Sequence, residues 1–329
     1  MAYERQQNLS RRGLIKGAAA ASLATAASSS LPSTVSAKAP LMGAERPSHY
    51  RFELGDFEVT TLLDGAIKLD GPHPIFGQNV EADEVKTLAE ENFLPPSQMA
   101  ISFTPVIVNT GEQVIMFDGG NGAGRRPDAG LLAERFESAG FVPDEVDIVV
   151  LTHFHPDHIG GLMEDGAPFF PNASYVANET EYDFWSPEDK LTGNTERVAK
   201  LTQSNVVPLA DKMTFIKAGD DVVSGVTAIE ASGHTPGHTA YHIESDGKRL
   251  MITADTANHY IMSLQKPDWH VRFDMDKEAA IAARKSVFGM IAADRIPFTG
   301  YHMPSPAVGF VEQIDGGFRY VPASYQLDL

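Results

Sequence analysis

The stretch Thr152-His153-Phe154-His155-Pro156-Asp157-His158-Ile159-Gly160-Gly161 constrains this chain more than any other. It places three imidazoles and one carboxylate directly after the apolar run Ile148-Val149-Val150-Leu151, which reads as a buried strand. A strand that runs into a short turn closed by two glycines presents those side chains at its carboxyl end, where open α/β sheets carry their sites. Neutral imidazole and carboxylate are ligands for zinc and neighbouring first-row metals, and a mononuclear catalytic site needs three of them plus an open position. Four candidates at i, i+2, i+4 and i+5 exceed that number, so two ions, one facing each pair, is the economical reading. A solvated His-rich turn would account for a lone His-x-His. It does not account for the added Asp-His, the preceding strand and the glycine pair.

With these residues the chain resembles the metallo-β-lactamase-fold hydrolases, whose hallmark is His-x-His-x-Asp-His. Their further pattern finds matches in order at Asp118 of Phe117-Asp118-Gly119, His234 of Gly233-His234-Thr235-Pro236-Gly237-His238, Asp255 of Thr253-Ala254-Asp255, and His302 of Tyr301-His302-Met303. The resemblance implies a four-layer αβ/βα sandwich of class α+β, with two mixed β-sheets and helices outside. It further implies that His153, His155 and His234 hold one divalent ion and Asp157, His158 and His302 a second, with Asp255 bridging both. Zinc is the first expectation; manganese, cobalt and iron remain alternatives, because such ligand sets are filled largely by availability. Two ions sharing a water leave a hydroxide poised between them, so no Ser or Cys nucleophile is needed. Asp157 is also expected to take a proton, and Asp118 and His238 to act from behind the ligands.

The remaining candidates are weaker. Trp185, in Tyr182-Asp183-Phe184-Trp185, resembles a pocket tryptophan of methyl parathion hydrolases, although buried aromatics are usually core. Asn258 and His259 follow Asp255 closely and are expected to line the pocket. Tyr301, next to a ligand, is expected to donate to a substrate carbonyl. The stretches Tyr50-Arg51-Phe52-Glu53-Leu54 and Phe318-Arg319-Tyr320-Val321-Pro322 also resemble the methyl parathion hydrolases and the lactone and aryl-ester hydrolases around them. The loop Gly119-Gly120-Asn121-Gly122-Ala123-Gly124-Arg125-Arg126 lacks the aromatic that the phosphotriesterase branch carries there, which favours carboxylic ester or lactone hydrolysis. Acyl-homoserine lactones are within that class. Organophosphate triester cleavage stands as the alternative.

At the amino terminus, Ser10-Arg11-Arg12-Gly13-Leu14-Ile15-Lys16 and the small-residue stretch Ala18 to Leu31 resemble a twin-arginine export signal, with Val35-Ser36-Ala37 as a peptidase site. Residues 1–37 are therefore expected to be removed by an export route that carries folded proteins, leaving a flexible start over 38–49 and one catalytic domain over 50–329. A periplasmic or secreted protein results. The whole chain carries 26 Lys+Arg against 44 Asp+Glu, which disfavours nucleic-acid and anionic-membrane partners and the nuclease members of the fold. With no cysteine, disulfides, thiolate ligands and the cysteine-liganded β-lactamases are excluded. The remaining β-lactamase class lacks a bridging Asp. A mononuclear iron dioxygenase of the same fold would leave the second ligand set unused, and a metal-stabilised binding module usually shows a lost ligand. A homodimer is among the assemblies the sequence allows.

Periodicity and turn signals predict helices over 81–91, 129–139, 179–185 and 276–294. They predict strands over 57–63, 106–109, 114–118, 148–151, 173–176, 226–231, 240–244 and 249–253, and a closing hairpin over 310–320.

Overall fold

The computed structural model describes residues 39, 41, 43 and 46–324. The expected export signal and expected cleavage site, most of 38–45 and residues 325–329 lie outside them. Among the described residues no helix is long and apolar enough to cross a membrane.

Two mixed seven-stranded sheets form the frame. In spatial order the first comprises His49–Leu54, Phe57–Leu62, Val106–Asn109, Val114–Phe117, Ile148–Leu151, Ser174–Asn178 and Met213–Ile216. The second comprises Asp221–Val223, Val226–Glu230, Thr239–Ser245, Lys248–Ile252, Phe298–Thr299, Val308–Ile314 and Gly317–Pro322. Strand alternation explains how they stack. In Ile148–Leu151, Ile148 and Val150 enter the core between the sheets, while Val149 and Leu151 pack towards the helices. Both its neighbours run parallel to it, so it is buried on both faces and its sequence is uniformly apolar.

Between the sheets, Val59, Val108, Ile115 and Val150 meet Val226, Tyr241, Ile243 and Leu250. Burying each such side chain contributes roughly 1.5–3 kcal/mol. On the first sheet's outer face lies the helix Leu132–Ala139, through Leu132, Phe136 and Ala139. On the second lies the helix Lys277–Asp294, through Val287, Phe288 and Ile291. The four-layer α+β sandwich expected from the resemblance is what the chain adopts.

Boundaries follow local chemistry. The helix expected over 129–139 starts only at Leu132, because Gly130 sits at φ +78°, and it ends as predicted at Gly140 in the left-handed region. The longest helix is capped by the Asp276 carboxylate, which accepts from the Ala279 amide. It stops at Arg295, φ +53°, before reaching Pro297. Of several elements that were not foreseen, two bear on the site. One is the helix Glu196–Asn205; the other is a separate hairpin pairing Gly65–Asp70 with Gln98–Phe103. The hairpin's strands are far apart in sequence and poor in β-branched residues. Its inner side chains are ordered by packing against Phe76, Trp269 and Tyr301.

Candidate metal centre

Every residue matched to the metal pattern follows a strand at one common end of the two sheets. Asp118 follows Val114–Phe117, and His153 to His158 follow Ile148–Leu151. His234 follows Val226–Glu230, Asp255 follows Lys248–Ile252, and His302 follows Phe298–Thr299. The glycines of Gly233-His234-Thr235-Pro236-Gly237 are required by close approach. A Cβ on Gly233, φ +125°, would stand 2.1 Å from the Ala280 amide nitrogen, and one on Gly237 would stand 2.3 Å from that of Glu181.

Two constellations result: His153, His155, His234 and Asp255 form one, and Asp157, His158, Asp255 and His302 the other. Within each, the candidate ligand atoms lie within 4.8 Å of one another. Asp255 is common to both. Its Oδ2 is 3.2 Å from His234 Nε2 and 3.0 Å from His302 Nε2, and its Oδ1 is 3.3 Å from His158 Nε2. Asn258 donates to Oδ2 at 2.9 Å.

The far side of each ring explains why these nitrogens face inwards. His158 Nδ1 is 2.8 Å from Asp118 Oδ2, His234 Nδ1 is 2.8 Å from Asp274 Oδ1, and His302 Nδ1 is 2.8 Å from the Ser102 carbonyl oxygen. Each partner accepts the Nδ1 proton and leaves the Nε2 lone pair aimed at the centre. His155 presents Nδ1 instead, 2.8 Å from His234 Nε2. His153 Nε2, His158 Nε2 and Asp255 Oδ1 are buried with no hydrogen-bond partner. Buried polar atoms are rarely left so, and an orphaned set of two imidazole nitrogens and one carboxylate oxygen fits divalent cations.

Electrostatics point the same way. Burial pulls the His153 and His155 pKa values well below the ordinary imidazole value, helped by neighbouring imidazoles. Burial also opposes charge on His158 and His234. In His158 the Asp118, Asp255 and Asp157 carboxylates overcome it, and in His234 hydrogen bonds to Asp255 and Asp274 push the value up to about 9. Asp255 is held well below the carboxylate range against its own burial by His302, His158 and His234. The carboxylates thus demand positive charge, and metal binding meets that demand with release of protons.

A sequence profile of the Metallo-beta-lactamase superfamily matches residues 104–297, more than half of the chain. The chain belongs to that superfamily. Among solved structures it is similar to AidC, a dizinc quorum-quenching lactonase in complex with the product N-hexanoyl-L-homoserine. Identity is 27%, 84% of this chain and 98% of AidC are covered, and the TM-score is 0.77. It is similar also to the hydrolase AbOPH, with 25% identity, coverage of 86% and 99%, and a TM-score of 0.78. Among curated relatives, the N-acyl homoserine lactonase AttM of Agrobacterium fabrum is 27% identical over 131 residues, 38% of this chain and 46% of AttM. The N-acyl homoserine lactonase AiiA of Bacillus thuringiensis subsp. kurstaki is 28% identical over 119 residues, 36% of this chain and 41% of AiiA. The chain thus spans less than half the length of the curated relatives it matches. As a superfamily member, it carries two His/Asp constellations with places for two divalent ions.

Beside the centre opens a cavity of about 360 Å³. Asp157, Asp255, His155 and His302 line it at the metal end, and Ile67, Leu69, Ile101 and Phe103 of the separate hairpin form an apolar wall. Asn258 lines it as well. Three other expected pocket residues do not. Trp185 is 2% exposed in the core beneath the first sheet, its indole N–H spent on Glu181 Oε1 at 2.9 Å. His259 is buried against Phe76 and Tyr260, its Nδ1 accepting the Ile261 and Met262 amides, and it borders a different cavity of about 340 Å³. Tyr301 gives its hydroxyl proton to the Asp157 carbonyl oxygen at 2.6 Å and stacks on His158, centroids 3.8 Å apart. It therefore shapes the ligand turn, and its hydroxyl is already engaged.

His238 stands behind the centre. Its Nδ1 donates to the Ala231 carbonyl oxygen at 2.8 Å and its Nε2 accepts the Asp255 amide at 3.1 Å. Burial and His234 hold its pKa down to about 3, so it is neutral and its tautomer is fixed by these two bonds.

Three residues that position the site escaped the sequence reading. Glu181 is buried and accepts from the Phe154 amide at 2.9 Å and the Gly237 amide at 2.8 Å, joining the two histidine loops. Asp274 and Arg284 form a buried pair behind His234, with Arg284 Nη2 2.8 Å from Asp274 Oδ2. Glu181 gave no sequence signal. Arg284 gave one: it falls on the apolar stripe of its helix with Ala280, Val287, Phe288 and Ile291. A lone arginine in such a stripe calls for a buried acidic partner.

Asp118 supports a test of this geometry. Its carboxylate accepts the Thr152 amide at 2.8 Å and the Nδ1 proton of His158. Asp118→Asn is expected to lower metal affinity or activity about 10–100-fold. Metal titration of the variant checks this, and wild-type affinity would show that His158 needs no such orienter.

Proposed function

We propose that this chain hydrolyses carboxylic esters with lactones foremost, acyl-homoserine lactones among them, at a dinuclear and preferentially zinc-loaded centre. The carrying observation is the placement of both ligand constellations at one end of an apolar-walled cavity of about 360 Å³, a size suited to a small molecule. The likeness to AidC over nearly its whole length supports the reading.

His153, His155 and His234 would hold one ion and Asp157, His158 and His302 the other, with the Asp255 carboxylate between them. When bound, two divalent ions supply Lewis acidity towards a carbonyl oxygen and draw the pKa of water towards neutrality. The protein's own groups do the rest. Asn258 fixes the Asp255 oxygen that faces His234 and His302, and His238 fixes the Asp255 backbone. Tyr301 fixes the turn that carries Asp157. The side chain of Asp157 is 18% exposed and lines the cavity, so its carboxylate would take a proton from the attacking water and pass it to the departing oxygen. The hairpin wall receives the apolar body of the substrate and excludes water from around the carbonyl. Residues 1–37 support export by the twin-arginine route and a periplasmic or secreted location.

Metal content of the purified protein tests this together with initial rates on an acyl-homoserine lactone, an aryl lactone and an organophosphate triester. Two ions per chain and fastest turnover of the lactones are expected. A faster triester rate would move the assignment to phosphotriesters, and one iron per chain without hydrolysis would overturn it.

A further inference from the structure

We propose that the substrate carries, besides its scissile ester or lactone bond, a fixed anionic group such as a carboxylate, bound by Arg125, Arg197 and Arg272. This rests on the hydrolase reading above and narrows its substrate class to esters and lactones that carry an acid group, which the uncharged acyl-homoserine lactones lack.

The three arginines come from separate elements and line the one cavity that contains the metal constellations. Arg125 ends the short helical turn Ala123–Arg125, Arg197 lies in the first turn of Glu196–Asn205, and Arg272 leads towards Asp274. Several other arginines among the described residues are paired with carboxylates. Arg126 pairs with Glu164 at 2.7 Å, Arg249 with Asp294 at 2.8 Å and Arg284 with Asp274 at 2.8 Å. Among the described residues, Arg125, Arg197 and Arg272 make no ion pair with a carboxylate, although the chain offers 44 Asp and Glu for its 26 Lys and Arg. Arg272 is steered by its own neighbour, its guanidinium carbon 5.1 Å from the Phe273 ring centroid.

A single solvated arginine at a surface means little. Three on one small cavity, in a protein of formal charge −18, create a local positive field against the charge of the whole. Guanidinium forks match carboxylate oxygens in geometry and charge, and a cleft with apolar walls strengthens the attraction. The Ile67, Leu69, Ile101 and Phe103 wall is uncharged, so the cavity is amphipathic. A substrate that fits it combines a carbonyl for the Asp157, Asp255 and His302 end with an apolar body and an anionic group.

The test compares kcat/KM of the metal-loaded full chain on 4-nitrophenyl hydrogen glutarate and on 4-nitrophenyl valerate, which match in length and differ in the terminal carboxylate. At low ionic strength the anionic ester is expected to be preferred about tenfold or more. That preference is expected to fall towards one with added salt and in the variant Arg125→Gln/Arg197→Gln/Arg272→Gln. Metal content and melting temperature verify that the variant is folded, and Arg197→Gln alone gives a partial loss. No preference in the wild type, or the same preference in the triple variant, overturns the proposal. Calorimetric titration with glutarate reads the same contacts without turnover and is expected to show about tenfold weaker binding in the variant. If neither ester is hydrolysed while glutarate binding still depends on the arginines, the hydrolase reading fails and the anion site stands. If both esters are hydrolysed without dependence on the arginines, the anion site fails alone.

Discussion

Asp255→Ala is expected to lower kcat/KM on a lactone by about a thousandfold, the equivalent of several kcal/mol of lost transition-state stabilisation. It should also reduce bound metal to one ion per chain or none. The reason is the sharing of one side chain: Asp255 belongs to both constellations, and its two oxygens face His158, His234 and His302 at 3.0–3.3 Å. Removing it leaves an imidazole cluster with one carboxylate ligand, Asp157, and like charges that repel. Metal analysis and steady-state kinetics check the expectation together. Two ions and near wild-type turnover in the variant would show that Asp255 bridges nothing.

Arg284→Met is expected to destabilise the protein by about 3–5 kcal/mol, because it strands the buried Asp274 carboxylate. Arg284 is fully buried, and its guanidinium also donates to the Thr256 and Pro267 carbonyl oxygens at 2.9 Å. At the usual sensitivity of a domain this size, the melting temperature should fall by roughly 10 °C. The double variant Asp274→Asn/Arg284→Met should recover part of the loss, since no unpaired charge remains. A double variant as unstable as the single one would show that the arginine acts through packing of its aliphatic stem rather than through the ion pair.

Much of the site could be read in the sequence because its ligands are tied to local signals. Each follows a strand, and the glycines around them sit where backbones nearly touch, as at Gly233 and Gly237. The frame was readable for the same reason: alternation and caps located most strands and helices. What escaped depends on tertiary contact alone. Asp274 reaches His234 from 40 positions away, and Glu181 joins two loops from a helix that itself carries no metal ligand. The hairpin Gly65–Asp70 with Gln98–Phe103 has weak intrinsic propensity and exists where Phe76, Trp269 and Tyr301 pack against it. Trp185 was a pocket candidate by resemblance and Tyr301 by adjacency to His302, and neither signal says which way a ring turns. Trp185 turns into the core, and Tyr301 turns beneath the ligand turn.

The candidate ligands are divided between the two sheets, with His153, His155, Asp157 and His158 after the first and His234, Asp255 and His302 after the second. Neither half holds a complete set for either ion. The centre is consequently a rivet through the seam of the sandwich, and it can close only after strands more than a hundred residues apart have come into register. Occupancy then reports completed folding, and each bound ion adds its binding free energy to the cohesion of the two halves.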